Sequence, residues 1–207
     1  MVETVSSPSV MEVLRDSTKD LHNDAEGQDF QRDLGSGSVS KEPYILYLQQ
    51  LYFMHKRLGD LLREAKDPAV NKVIRDYHFD LSCLTSDLAH FGVTAGYLEL
   101  PATKKLTAYL EKLAAEKPLA LLGPLYVLEG STNGAKFLAK NVRTALSLGD
   151  TGASYFDRYG EKQRERWQAF KDDMNSCGFS AGEVEDLVES ARTMFKSFFA
   201  VGLELKS

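Results

Sequence analysis

Cysteine is scarce: Cys83 and Cys177 are the only two among 207 residues. They lack metal-binding spacing and build no disulfide framework, so a reducing cytoplasm is the expected location. Basic residues carry no excess either. Lys and Arg number 25 against 30 Asp and Glu, a net charge of −5, which argues against a general nucleic-acid binder or a polybasic membrane surface. Apolar runs of membrane-spanning length are missing, and the N-terminus lacks a charged-then-apolar leader pattern, so no membrane span is expected. No stretch alternates as a β-strand does, and there is no internal repeat or low-complexity tract. The Gly-x-Ser-x-Gly elbow is absent and neither cysteine adjoins a base in sequence, which leaves nucleophilic catalysis without support. Asp87 and His90 have the carboxylate-x-x-His spacing of di-metal helical bundles. Such sites use that motif twice, with further inward glutamates, and no second copy occurs.

Helical periodicity is abundant instead. At 43% hydrophobic and 27% charged residues, the composition is that of an ordinary globular domain long enough to bury a full core. The pattern predicts a loose arm over 1–8 and one all-α domain over 9–207. Ser9 caps a helix over 10–25, with Met11, Leu14, Thr18, Leu21 and Ala25 on one stripe. A short helix over 30–34 ends at Gly35. Ser40 caps a long helix bearing Tyr44, Tyr47, Leu48, Leu51, Tyr52, Leu58, Leu61 and Leu62, broken by Asp67-Pro68. One helix is expected over 69–91, bent near Tyr77-His78, and another over 103–115. Pro118 opens a helix to about 147, and two more span about 160–175 and 180–205.

Two stretches stand out. In Leu125-Tyr-Val-Leu-Glu-Gly-Ser-Thr-Asn-Gly-Ala-Lys-Phe-Leu138, Gly130 and Gly134 lie inside a helix on one face. Each costs roughly 1 kcal/mol relative to Ala, so the pair needs a reason. Either a large flat group approaches the backbone there, or another helix packs closely. On the first helix, His22 follows Arg15 by seven residues and precedes Glu26 by four. Arg15 and His22 are about 10 Å apart on nearly one face, and Glu26, a turn beyond, can orient the imidazole. A half-buried histidine with a helical ion pair fits the same spacing. His55, His78 and His90 read as structural or surface groups.

Leu14-Arg-Asp-Ser-Thr-Lys-Asp-Leu-His22-Asn-Asp-Ala-Glu26, with Phe30 following, resembles the proximal helix of haem (heme) oxygenases. The glycine-bearing stretch resembles their distal helix in its bacterial form. Gln50-Leu-Tyr52, Arg166-Trp-Gln-Ala-Phe170 and Glu189-Ser-Ala-Arg-Thr-Met-Phe195 resemble further family patterns, so the likeness spans nearly the whole chain. The resemblance implies a helical bundle with heme between a proximal and a kinked distal helix. It implies His22 as the proximal iron ligand, Glu26 as its support, and Gly130, Ser131 and Gly134 as the catalytic distal wall. It also implies that Arg15, Tyr126, Arg192 and Lys196 contact the heme propionates. The implied reaction consumes O₂ and electrons from a donor such as a ferredoxin or flavoprotein reductase, opening heme to biliverdin, CO and ferrous iron. In bacterial members, a basic residue and a tyrosine at the Arg15 and Tyr126 positions accompany α cleavage, which implies biliverdin IXα. Ser131 stands where animal members have aspartate, Ala135 replaces a second glycine, and Asn133 replaces a more usual Leu or Ser. A non-catalytic heme carrier or sensor on the same fold is the alternative.

Overall fold

The computed structural model describes residues 8–205, so all but the last residue of the expected arm lies outside the described residues. Among them nine α-helices form and no strand. They are α1 (Val10–Gly27), α2 (Asp29–Ser36), α3 (Lys41–Glu64), α4 (Pro68–Val73), α5 (Ser82–His90), α6 (Pro101–Glu116), α7 (Leu122–Ala145), α8 (Gln163–Asn175) and α9 (Ala181–Glu204). The fold is a single all-α domain.

Local chemistry accounts for most boundaries. The Glu12 amide donates to Ser9 Oγ at 3.4 Å and the Ser9 amide donates to the Glu12 carboxylate at 2.8 Å, a reciprocal cap that fixes the start of α1. Ser180 and Glu183 repeat the arrangement at α9. Asp67 caps α4, accepting from the amides of Ala69 and Val70. Ser40 precedes α3 but its hydroxyl makes no capping bond, contrary to expectation. The residue three positions on is Pro43, which has no N–H to donate.

The helix expected over 69–91 is instead three pieces: α4, a 3₁₀ turn over Asp76–Phe79, and α5. Breaking it turns His78 into the core, where Nδ1 accepts from the Arg75 amide at 3.0 Å. It also seats Phe79 against Gly59 of α3, where any Cβ would stand 3.2 Å from the ring. Pro118 opens a 3₁₀ turn, Pro118–Leu121, rather than α7 itself. A continuous helix would drive the Pro124 ring into the Ala120 carbonyl. That carbonyl accepts from the Ser190 hydroxyl of α9 at 2.7 Å instead. The buried Asp87 fastens another 3₁₀ turn, accepting from the amides of Ser154 (2.9 Å) and Tyr155 (2.8 Å), while His90 stays exposed beside Thr151. The Asp87–His90 spacing is thus structural, as expected.

The core is centred on α3, α7 and α9. The last of these positions the site, because it packs along both α1 and α7, which scarcely touch each other. At Gly123, α7 crosses α9 so closely that a Cβ would overlap the Ser190 hydroxyl and the Leu187 carbonyl. Beyond that crossing the two helices flanking α9 leave a cleft. Burial along α1 fades in step: Met11, Leu14 and Thr18 are buried, but Leu21 and Ala25 are only partly covered.

Candidate functional site

His22 stands on α1 where that cleft opens. Its side chain is 53% exposed, and Nδ1 lies 3.7 Å from Glu26 Oε2, an orienting contact rather than a direct hydrogen bond. From the α9 side, the Phe195 ring meets the imidazole edge-on, with centroids 5.8 Å apart. The closed end of the cleft is made by Tyr126 of α7 and by Thr18 and Arg15 of α1. Burial pushes the Tyr126 hydroxyl up, and Thr18 and the Arg15 guanidinium partly offset it, which ties the three residues together. The Tyr126 ring also lies 6.3 Å from Trp167 of α8. Arg15 itself is exposed and bonded to Asp16 at 2.8 Å.

The surroundings of α7 answer the question the glycines pose. A Cβ on Gly134 would have nothing within 4 Å, and one on Gly130 would meet only Trp167, at an ordinary 3.7 Å. Neither glycine serves helix packing; on α7 that role belongs to Gly123. The helix runs unbroken through both, but its polar residues turn back on it. Ser131 donates to the Leu128 carbonyl (2.7 Å), Thr132 to that of Glu129 (2.6 Å), and Asn133 to that of Gly130 (2.9 Å). Such back-bonds bend helices. Gln163, at the start of α8, donates to both the Thr132 hydroxyl (2.6 Å) and Asn133 Oδ1 (3.3 Å).

Behind Gly130, facing the core, lies a buried charged cluster. Arg158 and Tyr159 donate to Glu129 Oε1 at 2.6 and 2.9 Å. Burial pushes the Glu129 carboxyl up, with Arg158 pulling it back. Desolvation works most strongly against the Arg158 charge, but the Glu129 carboxylate together with Tyr159, Tyr155 and Cys83 more than offsets it and raises the guanidinium pKa. His78 Nε2 lies 3.9 Å from Glu129 Oε2, which is no ion pair. Burial first, then Arg158, Arg75 and Arg166, lower the imidazole to about 3, so the ring is neutral.

Arg192 and Lys196, the other two expected propionate contacts, line the opposite side of α1 from His22. The Arg192 guanidinium forks onto Asp20 at 2.9 and 3.0 Å and also donates to the Ser17 carbonyl. At 100° per residue, Ser17 and Asp20 occupy the face of α1 away from His22. Lys196 shares with Arg192, Val13 and Ser17 a groove of about 410 Å³ on that same side. The α1–α9 packing thus separates both cations from Arg15 and Tyr126. The cation the sequence reading missed is Lys171. It is half-buried on α8, one turn from Trp167 and one turn from Asn175, whose Oδ1 accepts from the Met11 amide at 3.2 Å. That register puts Lys171 on the α8 face between Trp167, which meets the Tyr126 ring, and Asn175, which meets Met11 of α1. Its only sequence signal was adjacency to the Arg166–Phe170 pattern.

The arrangement offers one nitrogen base and, across a gap, a helix with two glycines whose added Cβ atoms would meet no close neighbour. The family model for heme oxygenase matches residues 9–204. The chain belongs to the heme oxygenase family. It is 25% identical to heme oxygenase 1 of Gallus gallus over 201 residues, covering 91% of this chain and 67% of that one. It is 26% identical to heme oxygenase 2 of Synechocystis, covering 88% of this chain and 77% of the relative. Animal relatives are longer, and the chain spans only 61% of heme oxygenase 2 from Macaca fascicularis. In three dimensions it is similar to the heme oxygenase of Leptospira interrogans, with TM-score 0.89 at 20% identity, covering 95% of this chain and 100% of that one. Heme oxygenase-1 of Synechocystis, solved in complex with heme, gives TM-score 0.88 at 21% identity, covering 96% and 93%. A TenA homologue from Pyrococcus furiosus has the fold too, at TM-score 0.68 and 17% identity, covering 93% and 99%. The fold alone therefore does not fix the chemistry.

Proposed function

We propose that this protein binds heme between α1 and α7 and cleaves it, using O₂ and electrons from an external redox protein, to biliverdin, CO and ferrous iron. The observation that carries the reading is the open space over Gly134, with only an ordinary contact to Trp167 beside Gly130, on the helix that flanks α9 opposite the half-exposed His22. A flat macrocycle fits such a cradle, because every Cβ that would crowd it is missing. Heme supplies both the O₂-activating iron and the carbon framework that is oxidised.

The chain's own residues do the positioning. His22 offers an imidazole nitrogen to the iron, and Glu26 steadies the ring through the Nδ1 side. Gly130 and Gly134 leave room above the opposite face, while Trp167 and Tyr126 close one end. Arg15, Tyr126 and Lys171 converge at that end and supply two positive charges and a hydroxyl for carboxylates. Anchoring the propionates there sets the in-plane rotation of the macrocycle, and biliverdin IXα is the expected product. The proposed cytoplasmic location rests on the two free thiols, Cys83 and Cys177; no helix among the described residues is long and apolar enough to cross a membrane.

A non-catalytic heme carrier is the second reading. It draws on Ser131 and Asn133, whose donors are bound to carbonyls of their own helix rather than aimed into the cleft. One experiment separates the two. Haemin is added to the protein and to His22→Ala, then a reductant is supplied with catalase present. Loss of the Soret band with growth of bilin absorbance in the wild type alone is expected. A Soret band that persists under turnover conditions would establish the carrier. Identical heme spectra in wild type and variant would remove His22 from the iron.

A further inference from the structure

We infer that α9 aims the His22 imidazole, gripping α1 through Arg192 on one side and Phe195 on the other. The inference rests on His22 being the iron ligand. α1 and α9 lie side by side and run in the same direction. Arg192 meets Ser17 and Asp20, Phe195 meets His22, and Gly202 receives the buried Gln28 amide, so the pairings advance together along both helices. A helix held on one face can roll about its axis, and a roll of about 20° sweeps a side-chain tip by roughly 2 Å. Glu26 cannot oppose such a roll, because it sits on the same helix and turns with His22.

The two α9 contacts can oppose it. Arg192 takes hold of α1 through a bidentate carboxylate bond at 2.9 and 3.0 Å and through the Ser17 backbone carbonyl, so part of the grip does not depend on any flexible side chain of α1. Phe195, one turn later, abuts the imidazole itself on the cleft side, with ring planes at 66°. Contacts on opposite sides of one helix, within five residues of each other, fix its rotation. Arg192 and Phe195 are therefore positioning residues that act through His22, and Arg192 is not a propionate partner.

The test uses haemin and haemin dimethyl ester, which has no charged propionates, with Arg192→Met, Phe195→Leu and the charge swap Asp20→Arg/Arg192→Asp. Arg192→Met is expected to weaken both ligands by the same factor, about three- to tenfold. It should also shift or broaden the iron–histidine stretching band of the ferrous complex. The swap should recover most of the affinity and the band. Phe195→Leu should move the band while leaving the propionate dependence unchanged. Without ligand, Arg192→Met should speed amide exchange across the second half of α1. If Arg192→Met weakens haemin but spares the ester, Arg192 contacts a propionate and the clamp is wrong. Unaltered bands, affinities and exchange in both single variants would also overturn it. Failure of the underlying reading looks different: the iron–histidine band would be absent from the wild type or would persist in His22→Ala.

Discussion

At the scale of single residues, the site is a question of which cations reach one end of a cleft. Arg15 and Tyr126 share that end with Thr18, and Lys171 lies on α8 one turn from Trp167, which meets the Tyr126 ring. Arg192 is bonded to Asp20 on the other side of α1, and the proposed propionate anchors therefore do not include it. Arg15→Asn/Tyr126→Phe should therefore let the macrocycle seat in more than one rotation and produce a mixture of biliverdin isomers. Chromatography of the product would test this: mainly IXα from the wild type and a mixture from the double variant are expected, whereas mainly β or δ product from the wild type would refute the assignment. The grouping of His22, Glu26 and Arg15 was legible in sequence because residues four and seven apart on one helix share a face, whereas Tyr126 came only from the family resemblance. Arg192 and Lys196 also share a face of their helix. What spacing could not reveal is that this face meets the back of α1. Lys171 escaped notice for the same reason: its relation to Tyr126 exists only after α8 packs.

At the scale of elements, glycines on one helix do opposite jobs. Gly123 of α7 admits α9, and a Cβ there would overlap Ser190 and Leu187. Gly123→Ala should destabilise the apoprotein by about 2 kcal/mol or more, the usual order for overpacking. Gly134→Ala meets open space and should stabilise the apoprotein by up to about 1 kcal/mol, while crowding the cleft and reducing turnover. Thermal denaturation of the two apoproteins should give shifts of opposite sign. Equal losses in both would mean that Gly134 too is a packing residue. Helix periodicity made α1, α3, α6 and α9 readable to within a few residues. It misled at 69–91, where apolar spacing carries on through a segment that must break to bury His78 and Phe79. Pro124 was the overlooked signal at the start of α7, since it forbids a continuous helix from Pro118.

At the scale of the whole molecule, the interior holds neutral histidines that constrain its behaviour in acid. Burial lowers His78 to about 3 and pushes His55, which is bonded to Tyr155 at 2.7 Å, well below its ordinary value. Groups whose folded pKa is depressed contribute stability above their unfolded pKa, and that stability drains as pH falls toward the folded value. Below about pH 6.5, His78 alone should cost roughly 1.4 kcal/mol per pH unit. Glu129, whose carboxyl is raised by burial, works in the opposite direction from about pH 4.5 upward, but two histidines oppose one carboxylate. Melting temperatures should fall between pH 6.5 and 4.5, and fall less steeply in His78→Gln. A flat profile across that range in the wild type would contradict the burial of a neutral His78.

The poor contact between α1 and α7 has a kinetic meaning. The two walls meet at the Tyr126–Thr18–Arg15 end and have few backbone contacts elsewhere, so a flat ligand entering from the other end should meet no packed α1–α7 interface, and both walls are already seated on α9. Entry then proceeds at the rate of oriented encounter, without a preceding opening step, and the observed rate grows linearly with ligand concentration. Residence is governed separately, by the bonds the ligand itself makes to His22 and to the Arg15–Tyr126 end. On the proposed function a bound heme would bridge the two helices, and its conversion to a linear tetrapyrrole would remove that bridge from within. The proposed reaction would in this sense also be its release step.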